Sequence, residues 1–156
     1  MSRSIYLVIY HSSPFPAHWS LWIPHIDDTR VGKRIHAIGD AAAGFEIAFE
    51  RNYNISTDDR SPQVVPLAQV SDHLVVDVRG DGNASVDQNA HDYLEETALS
   101  IPAPRKSLVS ASVEGPRKRV HIQNCQTWLR EVIVAFVNNK AMSADVLQTI
   151  DSAAKN

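Results

Sequence analysis

The sequence contains a single cysteine, Cys125, among 156 residues, so no disulfide can form within the chain. A lone cysteine is typical of proteins kept in a reducing compartment, and we therefore expect a cytoplasmic protein. The apolar run near the N-terminus, residues 5–10, is far shorter than the roughly 18 residues of a membrane-spanning helix. It also lacks the cleavage pattern of a signal peptide, so we expect no membrane partner.

The sequence also lacks an excess of positive charge. Its 15 Lys and Arg residues stand against 18 Asp and Glu residues, which leaves a formal net charge of −3. Such a balance offers no electrostatic reason to expect nucleic acid or an acidic membrane as partner. One short basic run, Arg117-Lys118-Arg119, is interpreted as a solvated surface. No repeat, linker or low-complexity tract divides residues 1–156, and this length predicts one domain.

The first fifty residues show a pattern of short strands. Residues 5–10 are β-branched and aromatic, as strands prefer, and residues 18–23 predict a second strand that ends at Pro24. Residues 33–38 and 45–49 predict a third and a fourth strand, joined through glycine-containing turns. Four short strands with tight connections indicate an antiparallel meander in an α+β fold.

The middle of the chain is less regular. Residues 64–70 and 73–78 each predict a strand, and Pro66 places the first of them at a sheet edge because proline cannot donate a ladder hydrogen bond. Residues 119–123 predict a further brief strand before the last third of the chain.

A helix is predicted to begin at Ser85, where the sequence has the form of a capping box. Apolar and small residues then recur at helical spacing, at Ala90, Tyr93, Leu94, Thr97, Ala98 and Ile101. Pro102 and Pro104 end the predicted helix, because the residue before a proline is pushed out of the helical region.

The last third of the chain has the clearest helical pattern. Asn124 is a favourable N-cap, and a helix is predicted from it to about Val137. Its apolar residues recur along one face, at Trp128, Leu129, Val132, Ile133, Phe136 and Val137. Ser143 is predicted to cap a short final helix.

Cys125 occupies the first position of that amphipathic helix. Free N–H groups and the helix dipole at this end favour a thiolate over a thiol. Counting back from Trp128 and Leu129 places the cysteine on the inward face. A lone cysteine on an apolar face is also a common small core residue, so the position alone leaves both roles open.

Seven histidines are many for this length, and two of them lie within predicted strands. His18 begins one strand and His36 is embedded in another, where a buried ring nitrogen needs a partner. If these strands are neighbours, a thiol, a base and an orienting group can meet at one end of the sheet. That is the geometry of an activated cysteine nucleophile.

Three motifs occur in a recognisable order: a His-Trp strand at residues 18–23, His36 in a following strand, and Asn124-Cys125 at the start of a late helix. This arrangement resembles the permuted papain-like group, which includes the lecithin retinol acyltransferase-like and permuted NlpC/P60 proteins. It is also similar to small uncharacterised fungal proteins, a resemblance that indicates no substrate.

The resemblance covers residues 5–50 and 119–138. It implies a small antiparallel sheet packed on the cysteine-bearing helix. It further implies that Cys125 is the nucleophile, that His18 is the general base and that His36 orients it. Asp40, just beyond His36, remains an alternative orienting residue.

From these residues and this resemblance, we expect a cysteine-dependent hydrolase or acyltransferase. Its substrate would be a small-molecule or peptide amide, ester or thioester, without a cofactor. The backbone N–H of Cys125 plus one further donor would hold the oxyanion. Tyr10 and Gln123 are the candidates for that donor, and Trp19 is a further candidate for contact with the substrate.

Two other interpretations remain. A non-catalytic binding module of the same fold would use the cleft for a small ligand, with Trp19, Trp22 and Trp128 as lining candidates. A metal site formed by His18, His36, His121 and Cys125 is disfavoured, because these residues lack an established zinc spacing and there is no second cysteine.

The acidity of the thiol separates catalysis from a core role. An ion pair between Cys125 and a histidine would bring the pKa of the thiol below about 8.5. A merely buried thiol would have a raised pKa, because burial disfavours the charged form.

Overall fold

The computed structural model describes residues 1–40, 42–104 and 124–156. Its strands are β1 (Ser2–Tyr10), β2 (His18–Pro24), β3 (Val31–Asp40), β4 (Gly44–Asn54), β5 (Gln63–Ser71) and β6 (Ser85–Asp87). Its helices are α1 (Tyr93–Ser100), α2 (Cys125–Asn138) and α3 (Val146–Ser152).

The six strands form one antiparallel sheet in the order β5-β1-β2-β3-β4-β6. The expected α+β class and the four-strand meander are therefore confirmed. Strand β5 returns to lie beside β1 at one edge of the sheet, which confirms the edge position predicted from Pro66. Strands β3 and β4 are longer than the sequence pattern indicated.

The sheet has two faces of different character, because successive side chains in a strand point to opposite sides. One face, here called the helix-covered face, packs against α2 and carries the main core; its residues include Leu7, Trp19, Leu21, Ile35 and Phe49. The other, here called the histidine face, carries Tyr10, His18, Trp22, Arg34 and His36.

The predicted helix start at Ser85 is wrong. Residues Ser85–Asp87 form the short strand β6, which pairs with β4 at the other edge of the sheet. Helix α1 begins instead after Asp92, whose side chain accepts a hydrogen bond from the Glu95 N–H. The helix ends at Ser100, before Pro102, as expected.

Two further local expectations fail and one succeeds. Residues 73–78 do not form a strand, since a single 3-10 turn (Asp72–Leu74) occupies their start. Ser143 makes no side-chain cap for α3, which begins after Asp145. Asn124 does cap α2, as predicted. The strand expected at residues 119–123 lies outside the described residues.

The sequence predicted no membrane partner, and the helices of the structure can be compared with that prediction. None of the helices described in the structure is long and apolar enough to cross a membrane.

Strands β2 and β3 separate near the start of β2. Their pairing runs from Pro24 opposite Gly32 to Leu21 opposite Ile35 and stops there. The far end of the pairing depends on glycine, since a Cβ at Gly32 would lie 2.2 Å from the Ile23 carbonyl oxygen. At the open end, the backbone of residues 17–19 faces the beginning of α2.

Candidate active site

Helix α2 begins with a complete capping box. The Asn124 side chain accepts hydrogen bonds from the N–H groups of Gln126 and Thr127, at 3.0 and 3.1 Å. The Thr127 hydroxyl in turn accepts one from the Asn124 N–H at 2.9 Å. This box fixes the first helical turn and places Cys125 at its first position.

The first turn of α2 meets the buried backbone at the start of β2, where β2 and β3 separate. The Cys125 thiol contacts the Ala17 carbonyl oxygen at 3.8 Å, and the Gln126 amide donates to the same oxygen at 2.9 Å. Gln126 also donates to the Lys155 carbonyl oxygen at 2.8 Å. The helix start therefore supplies donors to two backbone carbonyl oxygens that lie outside the strands.

The thiol itself is buried, with 7% of Cys125 exposed. Burial raises its pKa, while the backbone N–H groups of Trp19, Cys125 and Gln126 act in the opposite direction without offsetting the burial. The pKa below 8.5 that an ion pair would require is thus not found. The structure contains a neutral thiol with three N–H donors around its sulfur.

His18 and His36 lie together on the histidine face, as the strand pattern predicted. His18 Nε2 and His36 Nδ1 are 2.9 Å apart, and the ring centroids are 5.1 Å apart. Burial, followed by the nearness of His36 and of the Arg34 and Arg60 guanidinium groups, lowers the pKa of His18 to about 3. Burial also lowers the pKa of His36, against the opposing effect of Glu50. Both rings are therefore neutral at pH 7.

The expected contact between the thiol and the His18 ring is not formed. In the part of the chain that the structure describes, no hydrogen bond joins Cys125 Sγ to His18. The sulfur lies instead beside the backbone on both sides of His18, at the Ala17 carbonyl and the Trp19 N–H. The reason is strand alternation: Trp19 points to the helix-covered face and the His18 side chain to the other.

Glu50 extends the histidine pair, and the sequence analysis missed it. Its Oε1 lies 3.5 Å from His36 Nε2 and 2.5 Å from Arg34 Nη2. Burial would raise the pKa of Glu50, but the contacts with His36 and Arg34 outweigh it and bring that pKa to about 2. Glu50 is therefore a carboxylate at neutral pH.

Tyr10 lies beside the histidines, and its hydroxyl contacts other side chains. Its hydroxyl accepts from Arg34 at 2.5 Å and lies 2.7 Å from the Tyr53 hydroxyl, which donates to Asp58. The Arg60 guanidinium lies over the Tyr10 ring, 4.0 Å from its centroid. The hydroxyl is thus already hydrogen-bonded in this structure, and its expected role as an oxyanion donor stays a prediction.

The side chains of Trp19 and Asp40, the other described candidates, make their hydrogen bonds elsewhere in the structure. The Trp19 indole lies on the helix-covered face and donates to the Ala154 carbonyl oxygen at 2.9 Å, so only its backbone N–H faces the sulfur. Asp40 accepts from the N–H groups of Ala42 and Ala43 in the β3–β4 turn, and its role as an alternative orienting residue stays a prediction.

Two candidates cannot be placed. Gln123 and His121 lie outside the described residues. Across residues 1–40, 42–104 and 124–156, no group of three or more His, Cys, Asp or Glu side chains is arranged to hold a metal ion.

Of the residues that the sequence analysis missed, Arg34 had a weak signal in the sequence and Glu50 had none. Arg34 and His36 alternate with the apolar Ile35 and Ala37, which already indicates a polar face along β3. Glu50 gave no local signal, because it reaches Arg34 only through the pairing of β3 with β4.

Comparison with known proteins gives a family but no activity. Residues 5–143 match the model of DUF6540, described as a family of unknown function. No curated protein and no solved structure matches the chain.

Proposed function

Given that the chain belongs to the DUF6540 family, we propose that it is a cysteine-dependent hydrolase or acyltransferase. Its substrate would be an amide, ester or thioester. Cys125 would be the nucleophile, His18 the general base and His36 the residue that orients His18.

One observation carries the proposal: the position of the Cys125 sulfur. It lies at a capped helix start, beside the backbone of the residue proposed as base, with N–H groups of Trp19, Cys125 and Gln126 around it. Such donors are suited to an oxyanion that develops next to the sulfur. A cysteine that merely filled core space would not need this arrangement.

The pKa directions favour a neutral pair over a preformed ion pair. Burial keeps the Cys125 thiol protonated and the His18 ring unprotonated in the resting state. In the resting structure the His18 ring and the Cys125 sulfur lie on opposite faces of the sheet. The proposed reaction therefore requires the ring to turn toward the sulfur around the start of β2, where His18 takes the thiol proton as sulfur attacks the carbonyl carbon. The oxyanion accepts from the N–H groups of Cys125 and Trp19. His18 then returns the proton to the leaving group, and water or an amine releases the acyl group from sulfur.

Two parts of the proposal go beyond the site. The antiparallel sheet with a cysteine-bearing helix packed on β2 and β3 supports a permuted papain-like type for the fold. The single cysteine supports a cytoplasmic setting, where a free thiol stays reduced.

A non-catalytic binding module is the second candidate, and the burial of the thiol favours it. Cys125 is 7% exposed and its pKa is raised, as expected for a small core residue. In this interpretation the sulfur only fills the space between α2 and β2, and the histidine pair only stabilises its own face of the sheet.

Mass spectrometry of the intact protein tests the proposal without knowledge of the natural substrate. The protein is incubated with a panel of activated esters and thioesters, and the mass of the acyl adduct is measured over time. We expect an adduct on the wild type and none on Cys125→Ala. We also expect acylation to be about 10²–10⁴-fold slower in His18→Gln, because the general base is lost.

His25→Gln is the matched control. His25 is also buried, but it follows the opposite end of β2, so its loss tests for general damage to the strand. We expect near wild-type acylation in this variant. The binding module would be favoured if the wild type forms no adduct with any donor. It would also be favoured if His18→Gln is acylated as fast as the wild type.

A further inference from the structure

The histidine pair ends at a carboxylate that accepts hydrogen bonds but cannot donate them. Glu50 Oε1 lies 3.5 Å from His36 Nε2, and Glu50 is ionised at neutral pH. Among the described residues, His36 Nε2 is buried and makes no hydrogen bond, so the approach of Glu50 at 3.5 Å acts on it through charge. The group that faces His36 Nε2 is thus a negative charge, which favours a proton on that nitrogen.

Two arrangements of protons satisfy the 2.9 Å contact between His18 Nε2 and His36 Nδ1. In one, His18 donates from Nε2, His36 accepts at Nδ1 and its own proton faces Glu50. In the other, His36 donates from Nδ1 and its Nε2 lone pair faces the Glu50 carboxylate. The second arrangement places a lone pair against a negative charge and is disfavoured.

We infer that Glu50 is a positioning residue, whose carboxylate holds the His36 proton on Nε2 and thereby holds the His18 proton on Nε2. The lone pair of His18 is then on Nδ1, and among the described residues no hydrogen bond reaches that nitrogen. A neutral histidine must present such a lone pair to accept a thiol proton. The inference rests on the proposed function for its purpose, but the tautomers can be observed without any reaction.

Nitrogen-15 NMR of the imidazole side chains tests this assignment, because protonated and unprotonated ring nitrogens have well-separated shifts. In the wild type at pH 7 we expect His18 and His36 each to carry the proton on Nε2. In Glu50→Gln we expect a population of the Nδ1-protonated form at His36, and a matching change at His18. An Nδ1 proton on either ring of the wild type would overturn the inference, even if Glu50→Gln failed to fold.

Glu46→Gln is the charge-matched control, since Glu46 is exposed on the same strand. Arg34→Met removes the other partner of Glu50 and tests whether a broken ion pair alone disturbs the rings. We expect both variants to keep the wild-type tautomers. Unchanged tautomers in a folded Glu50→Gln protein would overturn the inference.

The Glu50 substitution in a His36→Gln background separates a positioning role of Glu50 from a general effect on stability. In His36→Gln the amide oxygen can accept from His18 Nε2, so Glu50 no longer controls the ring. We therefore expect Glu50→Gln to leave the His18 tautomer unchanged in that background, and a change there would contradict the inference. Correct tautomers without any acylation of Cys125 would refute only the proposed function. Acylation with the opposite tautomer would refute only the role of Glu50.

Discussion

The two faces of the sheet bury their side chains in different ways. On the helix-covered face, residues such as Leu21 and Ile35 pack against α2 in a continuous apolar core. On the histidine face, His36 and Arg34 are equally buried, but polar contacts with Glu50 and Tyr10 hold them. The same strands supply both sets, one residue apart.

This difference indicates that the helix-covered face contributes mainly to stability and the histidine face mainly to protonation and reactivity. Apolar contacts are non-directional and contribute with the area buried, whereas a buried polar group is costly unless its partner is in place. We therefore expect substitutions on the helix-covered face to change mainly the free energy of unfolding. Substitutions on the histidine face should change mainly protonation and reactivity.

The largest effect is expected where a charge is buried beneath the helices. Lys33 is 2% exposed on the helix-covered side and binds Asp92 and Glu95 of α1 and its cap. Lys33→Met leaves buried carboxylates without this partner and should lower the free energy of unfolding by about 3–5 kcal/mol. Chemical denaturation measures this loss. Arg30→Met, at a residue that is 74% exposed in its pair with Asp28, should change little.

Loss of an apolar contact on the helix-covered face should come next. Leu21 is fully buried in the core, and Leu21→Ala removes three carbon atoms and leaves a cavity. We expect the free energy of unfolding to fall by about 2–5 kcal/mol. Leu99→Ala, at a residue that is 40% exposed, is the control and should cost much less in the same denaturation series.

Acid should weaken the protein through the histidine face. Burial brings the pKa of His18 to about 3, below its ordinary 6.5. Between these pH values the unfolded chain binds a proton at His18 and the folded chain does not. Stability should therefore fall as pH drops from about 6.5 toward 3, by up to about 1.4 kcal/mol per pH unit for this group. Denaturation at several pH values should show a shallower loss in His18→Gln.

A slope in His18→Gln as steep as that of the wild type would show that His18 is already charged in the folded state.

The smallest effect is expected one residue from Leu21, on the other face. Ser20 is fully buried, and within the described residues its hydroxyl has no hydrogen-bond partner. Ser20→Ala should therefore leave the free energy of unfolding within about 1 kcal/mol of the wild type, or raise it slightly. A larger loss on denaturation would show that the hydroxyl has a partner and would weaken the contrast between the faces.

Much of the architecture could be predicted from local patterns. The alternation in residues 5–10 and 18–23, and the spacing from Trp128 to Val137, identified two strands and the main helix because their periods differ. The prediction at Ser85 was wrong because a capping-box sequence is also compatible with an edge strand. Asp92 is the N-cap of the helix instead.

For the candidate site, the sequence was sufficient for one contact and not for another. The proximity of His18 and His36 followed from two histidines in neighbouring strands of a meander, so the sequence was sufficient for it. Glu50 was missed because its contact with His36 depends on the register between β3 and β4, and a register is a long-range property.

The sequence by itself determined the first four strands, the capped helix start at Cys125 and the presence of two histidines in adjacent strands. These depend on residues near one another in the chain. Only the tertiary structure decided that the Cys125 sulfur meets the backbone beside His18 and not its ring. It also decided that burial keeps both groups neutral. The physical reason is that burial of the thiol and its approach to the Ala17 carbonyl arise from packing between segments about a hundred residues apart.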